Sequence, residues 1–395
     1  LIAVGGNTNA GIPSNKMGTL PESPLSAAIL KAELSDPAFN GVITYEETVG
    51  GAPNMDQVFG DIVDVVPGTH VSVHASGLRN AFDIAFTTWG GLYATDNGPN
   101  STFGPRSLDC ATDGTEVGSA DELDLIEYGN YYGHPNRNRG RYDARQCVYR
   151  TTSEPSVPHE FTQKIASLSS SSDGIMEYRA TTFLGQMYGD LIVEKWNNPV
   201  KRFVLSSDHR TVTNIVQLEP NLSSLDICQG PGGVIIGIDY TTDIVSLLIP
   251  QDVSALGVTA FDIHPWRAPA TGGGPFIIGG KNFDTLATTS VTIGGIPAAL
   301  TNVTSERIAG IIPANLSPTT DVLDVVVTSG GNPEQSIIPD GFRYLYVPAG
   351  NEPGRWDTDA PPLPVALGEV AAGEIDGVLY VVGEGSNKTL AYNIA

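Results

Sequence analysis

The sequence predicts an all-β chain, most of it a partial β-propeller, and three observations lead to this fold class. An apolar strand–turn–strand phrase at residues 82–96 returns at 225–239, with matches at Asp83 and Asp226, Ile84 and Ile227, Gly90 and Gly233, and Asp96 and Asp239. Gly189 and Gly233, which anchor two copies, lie 44 residues apart, a period typical of propeller blades. The 395 residues include 45 Gly and 28 Pro, as turn-rich β-structure requires.

Residues 1–252 form the predicted propeller region. Its strands are expected at residues 70–76, 82–86, 91–95, 175–179, 190–195, 201–206, 212–218, 225–228, 233–239 and 243–248. They suffice for roughly four blades, fewer than a closed ring needs. The copy of the phrase at residues 1–7 lacks its first half, so we expect the chain to begin inside a blade and the missing blades to lie upstream or on another chain.

Three further regions follow the propeller. Residues 253–344 alternate short apolar strands with Gly and Pro turns, which predicts a small β-sandwich. Residues 345–364 are rich in Pro and Gly, as a linker would be. Residues 365–395 form one more strand–turn–strand–turn–strand unit. Such a unit is marginally stable alone, so we expect something larger to complete it.

The chain is strongly acidic, with a formal net charge of −23. This charge argues against nucleic acid and anionic membrane surfaces as partners, since both require a basic patch. The sequence contains no run of 18 apolar residues, so we expect no membrane span. The acidic residues suit Ca²⁺ binding, although solvated surface charge explains them equally well.

Cysteines and glycosylation sequons favour an extracellular location. Cys110 and Cys147 flank an insertion rich in Gly and Asp and are expected to form a disulfide, whereas Cys228 is left over, either buried or paired with another segment. Sequons stand at Asn100, Asn221, Asn302, Asn315 and Asn387. Few cysteines, two of them well placed for a bridge, together with five sequons indicate secretion.

Three motifs in order carry a resemblance to a known family. SGLRNAFDIAF at 76–86, LYATDNGPN at 92–100 and DELDLIEYGNYYGHP at 121–135 resemble the soluble quinoprotein glucose and sorbosone dehydrogenases. This resemblance covers the predicted propeller region and implies a six-bladed propeller that binds pyrroloquinoline quinone and Ca²⁺. Carried over by position, Arg79 and Asn80 would face the quinone, Gly98 and Pro99 would offer carbonyls to calcium, and Asp121 and Glu122 would be the acidic pair beside them.

The same residues have a structural interpretation. Arg79 and Asn80 would then hold a turn between blades, and Asp121 and Glu122 would cap a loop. The catalytic His of the family stands just before the strand that corresponds to residues 1–4, so its position precedes this sequence. His70 and His74 lie on another strand, where a structural role is expected, and His134 replaces the family's Trp.

Two further resemblances concern the rest of the chain. Residues 255–344 resemble IPT/TIG domains, which space or join other domains. The resemblance rests on GGGPFIIGGKNF followed by VTIGGIPA. Residues 366–394, from GEVAA through GVLYVVGEG to LAYNI, resemble a single kelch blade. Residues 5–30 and this combination of modules resemble algal mastigoneme proteins, which build the hairs of flagella.

The sequence therefore leaves three functional hypotheses. We favour a non-enzymatic, extracellular structural glycoprotein on the cell or flagellar surface. It would be a subunit of a filament or surface assembly such as a mastigoneme, with other copies of itself, neighbouring subunits and glycans as partners, and with calcium rather than quinone as the expected ligand. The second hypothesis is a quinone- and calcium-dependent sugar dehydrogenase. The third is a carbohydrate- or protein-binding propeller with Trp89, Tyr131 and Tyr132 as an aromatic platform.

Overall fold

The computed structural model describes residues 1–19, 22, 25–33, 39, 45–47, 63–65, 71–108, 111–116, 118–134, 161–196, 198–222, 224–239, 244–250, 257–317, 321–330, 334–346, 368–375, 378–384 and 390–393. Within these residues the chain is all-β, as predicted, and its one helical element is a 3-10 turn at Phe183–Gly185. In the described part of the chain, no helix is long and apolar enough to cross a membrane.

Four antiparallel sheets follow one another along the first part of the chain. Sheet 1 contains β1 (Ile2–Val4), β2 (Ala28–Ala32) and, after a ribbon of β3 (Tyr45–Glu47) and β4 (Val63–Val65), β5 (Val71–Ser76). Sheet 2 contains β6 (Ala81–Phe86), β7 (Leu92–Asp96) and, after a ribbon of β8 (Pro105–Leu108) and β9 (Ala111–Glu116), β10 (Glu122–Ile126) and β11 (Ala166–Ser167). Sheet 3 contains β12 (Ser172–Glu177), β13 (Leu191–Lys195), β14 (Asn198–Leu205) and β15 (Val212–Leu222). Sheet 4 contains β16 (Ser224–Gly230), β17 (Val234–Asp239) and β18 (Ile244–Leu248).

The sheets pack face to face in chain order, which is the arrangement of propeller blades. Tyr93 of sheet 2 and Phe203 of sheet 3 share one apolar core, and Ile192 of sheet 3 and Ile235 of sheet 4 share the next. Each core forms because alternate residues of a strand point to opposite faces of the sheet, so one strand contributes to two cores. The four sheets therefore form part of a β-propeller.

The glycines that anchor the sequence repeat hold equivalent turns. Gly90, Gly189 and Gly233 adopt positive φ angles of 88°, 81° and 76° just before the second strand of sheets 2, 3 and 4. Residues with a Cβ rarely adopt this backbone conformation, whereas glycine does so without strain. The repeated glycine thus reflects one turn geometry used in three successive blades.

A β-sandwich follows the four sheets. One of its layers has the strand order β19 (Thr259–His264), β21 (Pro275–Lys281), β25 (Arg307–Ile311) and β24 (Ala299–Val303). The other has the order β20 (Arg267–Pro269), β27 (Glu334–Leu345), β26 (Leu323–Ser329), β22 (Thr289–Ile293) and β23 (Ile296–Pro297). Phe276, Ile278, Val325 and Phe342 are among the buried residues between the layers.

The sandwich contacts sheets 3 and 4 and belongs to one compact unit with them, Leu1–Glu352. Phe261 of β19 lies in the apolar core that sheets 3 and 4 share. The neighbouring Asp262 carboxylate accepts hydrogen bonds from the backbone N–H groups of Gly232 and Gly233, both at 2.9 Å. On the other layer, Nη2 of Arg343 donates to the Thr88 carbonyl at 3.0 Å.

The second unit, Pro353–Ala395, contains an antiparallel three-stranded sheet. Its strands are β28 (Gly368–Ile375), β29 (Val378–Glu384) and β30 (Leu390–Asn393), and β29 lies in the middle. The likeness of this sheet to a kelch blade and the domain boundaries drawn from the sequence stay predictions.

Candidate functional site

The six residues expected to bind a cofactor lie at one end of sheet 2. Arg79 and Asn80 precede β6, Gly98 and Pro99 follow β7, Asp121 precedes β10 and Glu122 begins it. Asp96, at the end of β7, pairs with Ala81 of β6 on one side and with Glu122 of β10 on the other. Because neighbouring strands are antiparallel, the start of β6, the end of β7 and the start of β10 lie at the same end of the sheet.

The Arg79 side chain is buried and is engaged within the protein. Nη1 of Arg79 donates to the Asn97 carbonyl at 3.2 Å, and Nη2 donates to Oδ1 of Asn9 at 3.1 Å. Nε of Arg79 has no hydrogen-bond partner among the described residues. The Asp96 carboxylate accepts the backbone N–H of Arg79 at 3.1 Å and that of Asn80 at 2.7 Å. Asp96 therefore fixes the turn that carries both residues.

Gly6 lies against this turn, and its N–H donates to the Arg79 carbonyl at 2.6 Å. A Cβ added to Gly6 would lie 3.0 Å from the Arg79 carbonyl, 3.0 Å from Oε1 of Glu22 and 3.0 Å from Nε2 of His134. The Asn80 side chain bonds the Asn97 side chain at 3.1 Å. The contacts of Arg79 and Asn80 are thus those of a structural turn, and the assignment of the two residues to a quinone stays a prediction.

Asp121 is also held within the fold. Its carboxylate accepts hydrogen bonds from the Gly98 N–H at 3.0 Å, from Nδ2 of Asn97 at 3.0 Å and from the Ser172 N–H at 2.9 Å. Burial raises the pKa of Asp121 even though these bonds oppose the shift. The carboxylate therefore ties the end of β7 to the start of sheet 3.

The residues assigned to calcium are not arranged as one ligand set. Glu122 forms an ion pair with Lys164, whereas Asp121 bonds backbone and amide N–H groups on another side. The Pro99 carbonyl accepts the Ser119 N–H at 2.9 Å. Within the described ranges no group of three His, Cys, Asp or Glu side chains could hold a metal ion. Ca²⁺ binds six to eight converging oxygens, and the assignment of these four residues to it stays a prediction.

A buried contact between a carboxylate and a histidine, which the sequence did not reveal, lies beside the Arg79 turn. Oε1 of Glu22 and Nε2 of His134 are 2.8 Å apart, and both side chains are almost fully buried. Oε1 also accepts the Thr8 N–H at 2.8 Å and the Thr8 hydroxyl at 2.7 Å. Burial alone would raise the pKa of Glu22, but His134 and these hydrogen bonds lower it well below its ordinary value.

Several buried carboxyl groups near this end of the sheets have raised pKa values. Burial raises the pKa of Asp96 to about 7 and that of Asp173 to about 6. Asp124 is buried in β10 and has no hydrogen-bond partner for either oxygen among the described residues. Burial and the nearby Asp96 charge raise the pKa of Asp124 well above its ordinary value. Burial therefore makes each of these carboxyl groups easier to protonate than an exposed one.

The remaining predicted residues fall into three groups. Tyr131 and Tyr132 are buried, so the aromatic platform predicted from Trp89 and these two residues is wrong in its composition. Asn100 and Asn302 are exposed sequon residues, Asn315 is a half-buried one, and Cys228 is exposed with no disulfide partner among the described residues. Four predicted residues lie outside the described ones: His70, Cys110, Cys147 and Asn387. For Asn221 only the backbone, in β15, is described.

Sheet 4 presents an apolar face that no other part of the described chain covers. Ile238 is 63% exposed, Val245 59% and Leu247 53%. Ile238 lies opposite Val245, and Leu247 lies opposite Ile236, so the side chains share one face of the sheet. We call Ile236, Ile238, Val245 and Leu247 the sheet-4 face. The opposite face packs on sheet 3 through Ile227 and Ile235.

The comparison with known proteins identifies one part of the chain. The IPT/TIG domain family matches residues 261–346, which confirms the resemblance predicted for the sandwich. None of the curated proteins matches the chain.

Solved structures show only weak likeness to the chain. A glucose dehydrogenase is 18% identical, with a TM-score of 0.31 over 46% of this chain and 47% of that one. The pyranose dehydrogenase PQQ domain from Coprinopsis cinerea, in its holo form, is 12% identical, with a TM-score of 0.35 over 62% of this chain and 65% of that one. An auxiliary nutrient binding protein from Bacteroides thetaiotaomicron VPI-5482 is 19% identical, with a TM-score of 0.20 over 22% of this chain and 21% of that one. The chain thus spans less than two thirds of the length of each of these structures.

Proposed function

We propose that this chain is a subunit of an extracellular filament or surface assembly, such as a flagellar mastigoneme, and that its propeller is not catalytic. The sheet-4 face is the observation that carries this proposal. Three large aliphatic side chains, Ile238, Val245 and Leu247, stand more than half exposed on adjacent strands. Contiguous exposed apolar surface of this kind marks a site of protein–protein contact.

The order of the blades supports the proposal that the partner of the sheet-4 face is another β-sheet. In sheet 2 the equivalent face contributes Ala85 and Tyr93 to the core shared with sheet 3, and in sheet 3 it contributes Met176 and Ile192 to the core shared with sheet 4. The sheet-4 face is the next surface in this series. We therefore infer that a sheet of a neighbouring copy packs there. A contact between different surfaces of two copies that does not close into a ring produces a filament.

The contacts of the predicted cofactor residues support the non-catalytic part of the proposal. Arg79, Asn80 and Asp121 bond to neighbouring backbone and amide groups, as a structural turn would require. The extracellular part is supported by Asn100 and Asn302, because the sequon asparagines at these positions are exposed to solvent and thus accessible to glycosylation.

Electron microscopy of the native material tests the proposal. We expect filaments with a regular subunit repeat in which the four sheets and the sandwich can be fitted as a building block. Discrete particles of monomer or dimer size at high concentration would contradict the assembly role. A separate assay tests catalysis: dye-linked aldose oxidation by the full chain after addition of pyrroloquinoline quinone and Ca²⁺ would contradict the non-catalytic role.

A further inference from the structure

A pocket of about 400 Å³ lies at the end of the sheets opposite the Arg79 turn. Arg79 precedes β6 and Trp89 follows it, so the six residues of the strand, about 20 Å in length, separate the two regions. The pocket is lined by aromatic side chains from four segments, together with charged residues at its rim. The aromatic lining consists of His74, Phe86, Trp89, Tyr93, Tyr128 and His209. We call it the Trp89 pocket.

One wall of the Trp89 pocket is held in place by ring stacking and a hydrogen bond. The rings of Trp89 and His209 stack with centroids 4.1 Å apart and an interplanar angle of 17°. His209 has a φ of 58°, an uncommon conformation for a residue with a Cβ. The hydroxyl of the buried Tyr93 donates to the His209 carbonyl at 2.6 Å and fixes this turn. Residues held in uncommon backbone conformations cluster at active and ligand-binding sites.

The other wall presents the exposed aromatic ring of Tyr128. Tyr128 is 74% exposed, and its ring centroid lies 5.6 Å from that of His74. The Tyr128 hydroxyl has no hydrogen-bond partner among the described residues. The pocket therefore combines flat apolar surfaces with a free hydroxyl donor at its rim.

The Glu127 and Asp208 carboxylates at the rim already accept hydrogen bonds from neighbouring groups, which leaves fewer acceptors for a ligand rich in hydroxyl donors. Oε1 of Glu127 bonds Nη2 of Arg210 at 2.8 Å, and Oδ1 of Asp208 accepts the Ser206 hydroxyl at 2.5 Å and the Arg210 N–H at 3.2 Å. A saccharide needs free acceptors for its many hydroxyl donors. A proline-rich segment does not, because proline has no N–H, and it needs flat aromatic surfaces for its rings and donors for its carbonyls.

We propose that the Trp89 pocket binds the proline-rich segment APPLP, residues 360–364, of a second copy of the chain. Such segments favour an extended polyproline conformation and dock into aromatic grooves at low entropic cost. Two acidic residues, Asp357 and Asp359, precede the prolines. They complement Arg267, whose guanidinium lies 5.6 Å from the ring centre of Phe86 at the pocket and has no ion-pair partner among the described residues.

The contact would lie within the proposed assembly, so the identity of the partner rests on the proposed function. The binding step can be tested apart from assembly. The probe is a synthetic peptide of residues 355–367, RWDTDAPPLPVAL, titrated calorimetrically into the full chain. A second preparation of the chain carries Pro361→Ser, Pro362→Ser and Pro364→Ser, so that its own segment cannot compete with the peptide.

We expect the peptide to bind and the variant Tyr128→Ala to weaken binding at least tenfold. Phe103→Ala is the matched control, because this exposed ring lies at the opposite end of the sheets. A peptide with Ser in place of the three prolines should not bind. Failure of the native peptide to bind either preparation would overturn the proposal, as would binding that Tyr128→Ala leaves unchanged. Tyr128-dependent binding of methyl glycosides without binding of the peptide would assign the pocket to saccharides instead.

The variant Leu247→Lys separates the two proposals. It alters the sheet-4 face and leaves the Trp89 pocket intact, so peptide binding should persist when filaments are lost. Loss of both properties in this variant would show that the pocket depends on assembly and would contradict the inference.

Discussion

Cys228 of β16 lies directly opposite Ile236 of β17, in the register that Met176 and Ile192 occupy in sheet 3. The Met176 and Ile192 pair is buried under sheet 4, whereas Cys228 is exposed. The same position in the repeat is therefore core in one blade and surface in the next. This difference follows from packing alone, since a blade face is buried only when the next blade covers it.

The first prediction concerns the sheet-4 face. Leu247→Lys should abolish filament formation, because it places a charge in the centre of an apolar contact. The free energy of unfolding of the isolated chain should change by no more than about 0.5 kcal/mol, since the side chain is half exposed. Sedimentation velocity and electron microscopy of the variant measure the first effect, and denaturant unfolding measures the second.

The matched control is Leu286→Lys on the sandwich, since Leu286 is 49% exposed and Leu247 53%. This variant should assemble like the unmodified chain. If both variants assemble normally, the sheet-4 face is not the subunit contact. If both fail, the effect is one of net charge rather than of a specific surface.

A second prediction tests the turn that repeats in the blades. Gly233→Ala should destabilise the chain by about 3 kcal/mol, the sum of left-handed strain and overpacking. A Cβ at this position would lie 2.3 Å from both the Thr182 and the Tyr178 hydroxyl oxygens, which bond each other at 2.5 Å. Thermal and denaturant unfolding of the purified variant provide the measurement.

The neighbouring Gly232 supplies the control for strain without a clash. It has a φ of 79°, and a Cβ there would meet no atom within 4 Å. Gly232→Ala should therefore cost only about 1 kcal/mol. Equal losses in the two variants would mean that packing against Tyr178 and Thr182 contributes nothing to the turn.

A third prediction concerns the buried contact between Glu22 and His134. Glu22→Gln should lower the free energy of unfolding by about 3 kcal/mol, because it leaves His134 buried without its carboxylate. Glu306→Gln is the control: its pair with Lys281 is largely exposed and should contribute less than about 1 kcal/mol. A loss at Glu22 no greater than at Glu306 would show that the buried pair is not needed for the fold.

The strands of the repeat could be predicted from the sequence because their pattern is local. The expected strands at 82–86 and 91–95 agree within about one residue with β6 (Ala81–Phe86) and β7 (Leu92–Asp96). β10 was not predicted as a strand, because Glu122 and Asp124 interrupt its apolar residues. Burial of Asp124 is a tertiary effect, and no local pattern signals a carboxyl group that the fold forces into the interior.

The candidate site was only partly predictable for the same reason. The motifs placed Arg79 and Asp121 in one site only through the family resemblance, and in the structure the two residues lie at the same end of sheet 2. Asn9 and Glu22 lie outside the repeated phrases, so nothing in the sequence indicated that they contact Arg79 and His134. The Trp89 pocket likewise joins side chains that are distant in sequence, such as His74 and His209.

The last prediction concerns pH. Asp96 has a folded-state pKa of about 7, chiefly because it is buried, whereas an unfolded Asp titrates near 4. Between these values the folded chain keeps a proton that the unfolded chain releases, so this group makes stability fall as pH rises from about 4 through 7. The limiting slope from one such proton is about 1.4 kcal/mol per pH unit. Asp96→Asn should flatten the profile in this window, whatever its effect on absolute stability.

Denaturant unfolding at closely spaced pH values between 4 and 8 measures this slope. Asp208→Asn is the control, because the pKa of the exposed Asp208 is lowered by hydrogen bonds from Ser206 and Arg210 and its titration lies below the window. Asp83 and Asp173, with pKa values of about 6, contribute in the same direction and remain in both variants. An unchanged slope in Asp96→Asn would mean that Asp96 is ionised in the folded chain, and that its two backbone hydrogen bonds outweigh its burial.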